Sequence, residues 1–205
     1  QYYGKKIIPA SREIVENKAE DTILKDAKKT VVVFLVPGDP LIATTHIDLL
    51  LRAGKLGIKT EIIHNCAITS AVAETGLQIY KFGATASIPF PKGDFYPETP
   101  YDIIKENQRR GLHTLVLLDL VPLEKKFMTV NEGLKYLLCI EAKRKEKVLS
   151  ENTPAIGCAR IGTGSLIKAG KIKELLAENF KSPLHCIIIP GKLHFMEEEA
   201  LTRFC

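Results

Sequence analysis

Residues 31–36, VVVFLV, run into Pro37-Gly38-Asp39-Pro40 and then directly into a helical pattern, and this handover limits the possible folds more than any other feature of the chain. Four of the six residues are β-branched, and none is polar. A half-exposed strand alternates apolar and polar residues; an unbroken run predicts a strand covered on both faces. The same change of texture recurs along the sequence. Strands are expected over 6–9, 31–36, 60–64, 85–88, 114–118, 155–161 and 185–190, with helices over 12–27, 44–53, 69–74, 101–110, 130–144, 171–178 and 196–204. Such alternation predicts an α/β chain.

With 205 residues, 45% of them hydrophobic, the chain has material for one good core or two small ones. Its longest apolar runs, 30–37 and 114–118, fall far below the ~20 residues that cross a bilayer, and no basic start precedes an apolar signal core. No membrane partner and a cytoplasmic location are expected. The five cysteines, Cys66, Cys139, Cys158, Cys186 and Cys205, form no C-x-x-C pair, and three lie in apolar runs. Reduced thiols fit this better than a disulfide frame or a zinc site, so no metal is expected. The net charge of +5 is modest. Its one dense cluster, Lys143-Arg144-Lys145-Glu146-Lys147, reads as a solvated helix end rather than a nucleic-acid surface. The opening Gln1-Tyr2-Tyr3-Gly4 reads as the interior of a longer sequence.

Residues 89–100 hold four prolines, a glycine and three aromatics, too broken for either regular element. An ordered surface loop, suited to act as a lid, is expected there. At His64-Asn65-Cys66 a strand ends and a polar turn begins, which fits either a hinge between lobes or an ordinary strand-to-helix loop. The hinge reading divides the chain into lobes 1–64 and 65–205.

In open α/β sheets, ligands collect beyond the carboxyl ends of strands, where backbone N–H groups and helix N-termini stand unpaired. Gly38-Asp39 lies at such a place, although Pro40 equally suits a plain turn. Neither G-x-x-x-x-G-K-[ST] nor a strand-borne G-x-G-x-x-G is present. Three further strand ends, Ile63–Ile68, Leu117-Leu118-Asp119 and Ala159-Arg160-Ile161-Gly162, offer small or apolar residues able to grip a flat ring. The five histidines form no Ser-His-Asp or Cys-His pattern, so nothing points to a hydrolase and no catalytic residue is named.

Four ordered blocks carry a wider likeness: Pro37-Gly38-Asp39-Pro40-Leu41-Ile42-Ala43-Thr44-Thr45-His46 with Phe34 ahead of it; Thr75 to Gly83, TGLQIYKFG; Gly111-Leu112-His113-Thr114-Leu115; and Pro190-Gly191-Lys192-Leu193-His194. Together they resemble the diphthine synthase family, within the tetrapyrrole-methylase-like (class III) S-adenosylmethionine-dependent methyltransferases. The tight loop between Asp119 and Met128 is similar to that of archaeal members.

The resemblance implies two α/β lobes with the methyl donor S-adenosylmethionine in the cleft between them, and S-adenosylhomocysteine as product. It implies donor contacts at Asp39, Ile42, Ala67, Ile68, Leu118, Ile161 and His185, the last two at the adenine. Relatives often carry Ser where Ala67 stands, and Ala or Val where Ile161 stands. It also implies a first strand with a Gly-Leu-Gly-Leu-type turn, which this sequence starts after; the loop Gly162-Thr163-Gly164-Ser165 is shorter than the family's. The implied activity is N-methylation of a modified histidine, the diphthamide precursor, on translation elongation factor two, by a homodimeric enzyme. The loop over 89–100 with Lys92 and Lys105 is then the expected docking surface. The alternatives are a methylase of a tetrapyrrole precursor and a non-catalytic nucleotide-binding α/β module.

Overall fold

Ser11 starts the first helix: its Oγ accepts from the Ile14 N–H at 3.3 Å, and α1 (Arg12–Asn17) follows. The computed structural model describes residues 4–93 and 95–205. The reading of the first four residues as the interior of a longer sequence therefore rests mostly outside the described residues. The chain divides into two units, Gln1–Ala67 and Ile68–Cys205.

In the first unit the helix expected over 12–27 is two helices, α1 and α2 (Ile23–Ala27). The polar triplet Glu20-Asp21-Thr22 interrupts the apolar period, and the Thr22 hydroxyl donates to the Lys18 carbonyl at 2.6 Å, closing a turn between them. With α3 (Ile47–Lys55) they bury Ala19, Leu24, Leu49 and Ala53, against which Phe34 and Ile58 pack. Arg52 ties the group together, pairing with Glu20 and Asp48, both at 2.9 Å, and donating to the Val15 carbonyl at 2.7 Å.

The three strands expected in this unit, over 6–9, 31–36 and 60–64, do not form: these stretches carry no ladder pairing among the described residues. Apart from Phe34 and Val36, their apolar side chains are not covered either: Val31 is 92% exposed and Ile63 81%. An apolar run alone does not make a strand, because a ladder requires a neighbour whose N–H and C=O groups face it.

The second unit opens with α4 (Ile68–Ala71), which tightens into a 3₁₀ turn, Val72–Thr75. There follow β1 (Ala86–Ile88), α5 (Thr99–Arg109), β2 (Thr114–Leu118), the ribbon β3 (Leu120–Val121) and β4 (Lys126–Phe127), α6 (Val130–Arg144), β5 (Pro154–Ala159), β6 (Leu166–Lys171), α7 (Ile172–Leu175), β7 (His185–Ile189) and α8 (Phe195–Leu201). Five strands form one sheet in the order β1-β2-β7-β5-β6. Only β1 and β2 run parallel; the other three pairings are antiparallel.

Both faces of this sheet are covered, which explains the unbroken apolar runs. Along β7, Ile187 and Ile189 join α5, α6 and α7 on one face, while Cys186 and Ile188 join Val72, Leu77 and Leu201 on the other. Thr129 launches α6 with a reciprocal cap, its Oγ1 accepting from Glu132 N–H at 3.2 Å while the Glu132 carboxylate accepts from Thr129 N–H at 2.7 Å. Of the loop expected over 89–100, residue 94 lies outside the described residues and Thr99 and Pro100 already open α5, while the flanks of the rest are tied down. Phe90 N–H donates to Asp119 Oδ2 at 3.0 Å, and the Tyr136 hydroxyl donates to the Pro97 carbonyl at 2.8 Å.

Candidate functional site

In the first unit the turn after residue 36 is organised by Asp39. Gly38, at φ +78°, bends the chain as residues with a Cβ rarely do. Asp39 Oδ1 accepts from Leu41 N–H at 2.9 Å, and Oδ2 accepts from His64 Nδ1–H at 2.7 Å and Asn65 N–H at 3.4 Å. The Leu41 amide, then the His64 ring, hold this carboxyl below its usual range. The bond across 25 residues brings the Gly38-Asp39 turn beside the stretch leading to Ala67; Gly38 packs near the Cys66 carbonyl. Ile42 lies exposed in the same turn, and Ala43 beside it has φ +54°. His46 closes the turn, its Nδ1–H donating to the Pro40 carbonyl at 2.8 Å.

In the second unit Leu118 ends β2 and His185 begins β7, and the two strands run antiparallel with Leu117 opposite Cys186. Ile161 follows β5, whose Ala159 pairs with His185. All three therefore gather at one end of the sheet. Their side chains divide between its faces: Leu118 packs in the cluster under α6, while Ile161 packs with Ile68 on the opposite cluster.

His185 is fixed on both sides. Val130 N–H donates to its Nδ1 at 3.3 Å, and its Nε2–H donates to the Ser182 carbonyl at 3.1 Å. Burial holds it neutral by lowering its pKa, and Arg160 acts in the same direction. With both nitrogens committed, a ligand would meet His185 through the ring face or the backbone. Asp119 resembles Asp39 in use: its carboxylate accepts from Phe90 and Leu120 N–H groups at 3.0 and 2.9 Å and shapes the turn beyond β2.

The sequence reading missed a buried network on the other side of the second unit. Glu197 of α8 is fully buried. It accepts from Gln78 N–H at 2.9 Å, His113 Nε2–H at 3.0 Å, His194 N–H at 2.8 Å, and the Lys81 ammonium. Burial alone would raise its pKa, but these four donors bring it down from 4.5 to about 2. The partners come from three separate stretches, around residues 78–81, 113 and 194, so no spacing in the sequence announces the group. Lys105, expected at a docking surface, pairs with Glu146 at 2.6 Å. Among the described residues no group of three His, Cys, Asp or Glu side chains could hold a metal ion.

In the second unit the strand ends offer backbone edges and apolar walls suited to a flat ring, and in the first unit the Gly38-Asp39 turn by itself offers an anionic side chain. The family model for tetrapyrrole (corrin/porphyrin) methylases matches residues 1–176. A diphthine synthase of Methanocaldococcus jannaschii is 53% identical over 205 residues, taking in 98% of this chain and 79% of that protein. One from Methanococcus maripaludis is 52% identical over 198 residues, with 96% and 77% covered. A crystal structure of a diphthine synthase superposes with a TM-score of 0.89 at 35% identity, covering 100% of this chain and 77% of the other.

Proposed function

The chain belongs to the tetrapyrrole methylase family, in its diphthine synthase branch, and is a methyltransferase; from that premise we propose that it transfers methyl groups from S-adenosylmethionine to the amino group of the modified histidine on translation elongation factor two. The single observation behind this reading is identity of about half the positions over nearly the whole chain to proteins of that name. No helix among the described residues is long and apolar enough to cross a membrane. A cytoplasmic homodimer belongs to the same proposal.

When bound, S-adenosylmethionine supplies an electrophilic methyl group with its leaving group attached. The protein's task is then to bind, align and exclude water, without an elaborate acid–base apparatus. This accounts for a candidate site without a nucleophile–base pair. In the first unit we assign donor contacts to Asp39, Ile42 and Ala67, the carboxylate suiting a ribose hydroxyl or the donor's ammonium. In the second unit we assign them to Ile68, Leu118, Ile161 and His185, with backbone edges and apolar walls suiting the adenine.

The test uses elongation factor two carrying the unmethylated precursor, incubated with the protein and S-adenosylmethionine and then weighed by mass spectrometry. A stepwise gain of methyl masses on the factor is expected. No gain, alongside methylation of a tetrapyrrole precursor, would move the chain to the other branch of its family. Calorimetry in which nucleotides bind and S-adenosylhomocysteine does not would overturn both.

A further inference from the structure

The end of β2 opposite Leu118 is built by two loops pressed together. Gly191 N–H donates to His113 Nδ1 at 2.9 Å, and Lys192 N–H donates to the Gly111 carbonyl at 3.1 Å. A Cβ on Gly191 would stand 2.5 Å from the Gly111 backbone, so the approach requires glycine. Beneath them lies the Glu197 network. Three of the four sequence blocks that carry the family likeness therefore converge here, at the end of β2 away from Leu118.

Beside these loops is a cavity of about 280 Å³ lined by Lys81, Arg110, Gly111, Lys192, Leu193 and His194. The Lys81 ammonium is taken up by Glu197 and by the Lys192 carbonyl at 2.7 Å. The Arg110 and Lys192 side chains have no anionic partner among the described residues, so the cavity carries uncompensated positive charge. Its surroundings are apolar and exposed. The Phe195 ring, 67% exposed, lies 4.3 Å from the His194 ring, and Tyr80, next to Lys81, is 79% exposed.

We propose that this basic cavity docks an acidic segment of the protein substrate, with Arg110 and Lys192 receiving its carboxylates and Phe195 and Tyr80 packing around them. The inference rests on the reading of the chain as an enzyme acting on a folded protein. Arginine with exposed aromatics is the composition of a protein interface. A second copy fits poorly, because the chain is basic, at +5, and a two-fold contact would set Arg110 and Lys192 near their own images. The β2 strand separates the cavity from Leu118 by about 14 Å, at the usual rise per residue. Docking here sets substrate affinity and leaves the methyl-transfer step alone.

The test compares the intact protein with the double variant Arg110→Glu, Lys192→Glu, and with Arg110→Lys, Lys192→Arg as the charge-conserving control. With elongation factor two as substrate, KM should rise about tenfold in the reversed variant, the scale of one or two rim charge pairs. The kcat, S-adenosylhomocysteine affinity and unfolding temperature should hold, the conservative variant should behave as the parent, and raised salt should weaken the parent's substrate affinity. An unchanged KM, or a fall in S-adenosylhomocysteine affinity, overturns the inference.

Separately, a polyglutamate peptide is titrated by fluorescence against the same proteins, with inorganic phosphate and an RNA oligonucleotide as competitors. Binding lost on charge reversal and little disturbed by phosphate supports the proposal. Equal competition by phosphate, tighter binding of RNA, or variants that only dissociate a dimer each overturn it. Should the unaltered protein leave elongation factor two unmethylated, the proposed function fails while the peptide titration still decides this inference.

Discussion

At the scale of single residues, Asp39 has two roles that a substitution can separate. Its carboxylate shapes the turn through Leu41 N–H and holds the His64 ring and Asn65 N–H from a distant stretch. Asn at this position keeps a carbonyl oxygen for Leu41 but presents an amide where His64 donates, and it removes the charge. In Asp39→Asn, calorimetry should show S-adenosylhomocysteine bound about tenfold more weakly, the scale of one charge-assisted contact. Its far-ultraviolet circular dichroism should match the parent's. Unchanged affinity with a lower unfolding temperature would make Asp39 a turn residue alone. The turn itself was legible, because Gly-Asp-Pro after an apolar run breaks any regular element, although the run before it forms no paired strand. Its bond to His64 was not, since nothing in either stretch indicates that they meet.

Secondary-structure elements were legible to the degree that side-chain pattern decides them. After their first residues, Thr114 and His185, the strands β2 and β7 are apolar throughout because helices cover both faces, and both stood out in the sequence. The edge strand β6, LIKAGK, was missed: an edge position tolerates two lysines and a glycine that a central strand would not. The mixed direction of the sheet was not readable, because direction depends on how the connections cross. In the first unit the pattern predicted strands whose partners the fold does not bring alongside. Exposed apolar chain without ladder pairing is a template for self-association. Replacing Val31 and Ile63 by Lys should therefore reduce concentration-dependent light scattering while leaving the helical circular dichroism unchanged. Scattering equal to the parent's would show that these segments are not the adhesive surface.

For the molecule as a whole, three buried titrating groups of the second unit fix how stability responds to acid. His113 and His185 are held neutral by burial, so their folded pKa values lie below the ordinary 6.5. As pH falls through 6.5, the unfolded chain takes up protons that the folded one refuses, and stability declines. Glu197 acts lower on the scale. Its pKa is about 2 folded against 4.5 unfolded, so its contribution is complete above 4.5 and is lost as pH falls from there to about 2. That difference corresponds to about 3 kcal/mol. The unfolding temperature should accordingly fall in two stages, one beginning near pH 6.5 and a steeper one below 4.5. In Glu197→Gln the steeper stage should flatten, while stability at neutral pH falls by about 3–5 kcal/mol, because Lys81 loses its buried counter-ion and becomes an uncompensated charge. Thermal unfolding followed across this range in both proteins measures each stage. A variant that keeps the steep acid limb would place the lost protons on other carboxylates, and would mean that the convergence of residues 78, 81, 113, 194 and 197 shapes the loops without governing the molecule's acid stability.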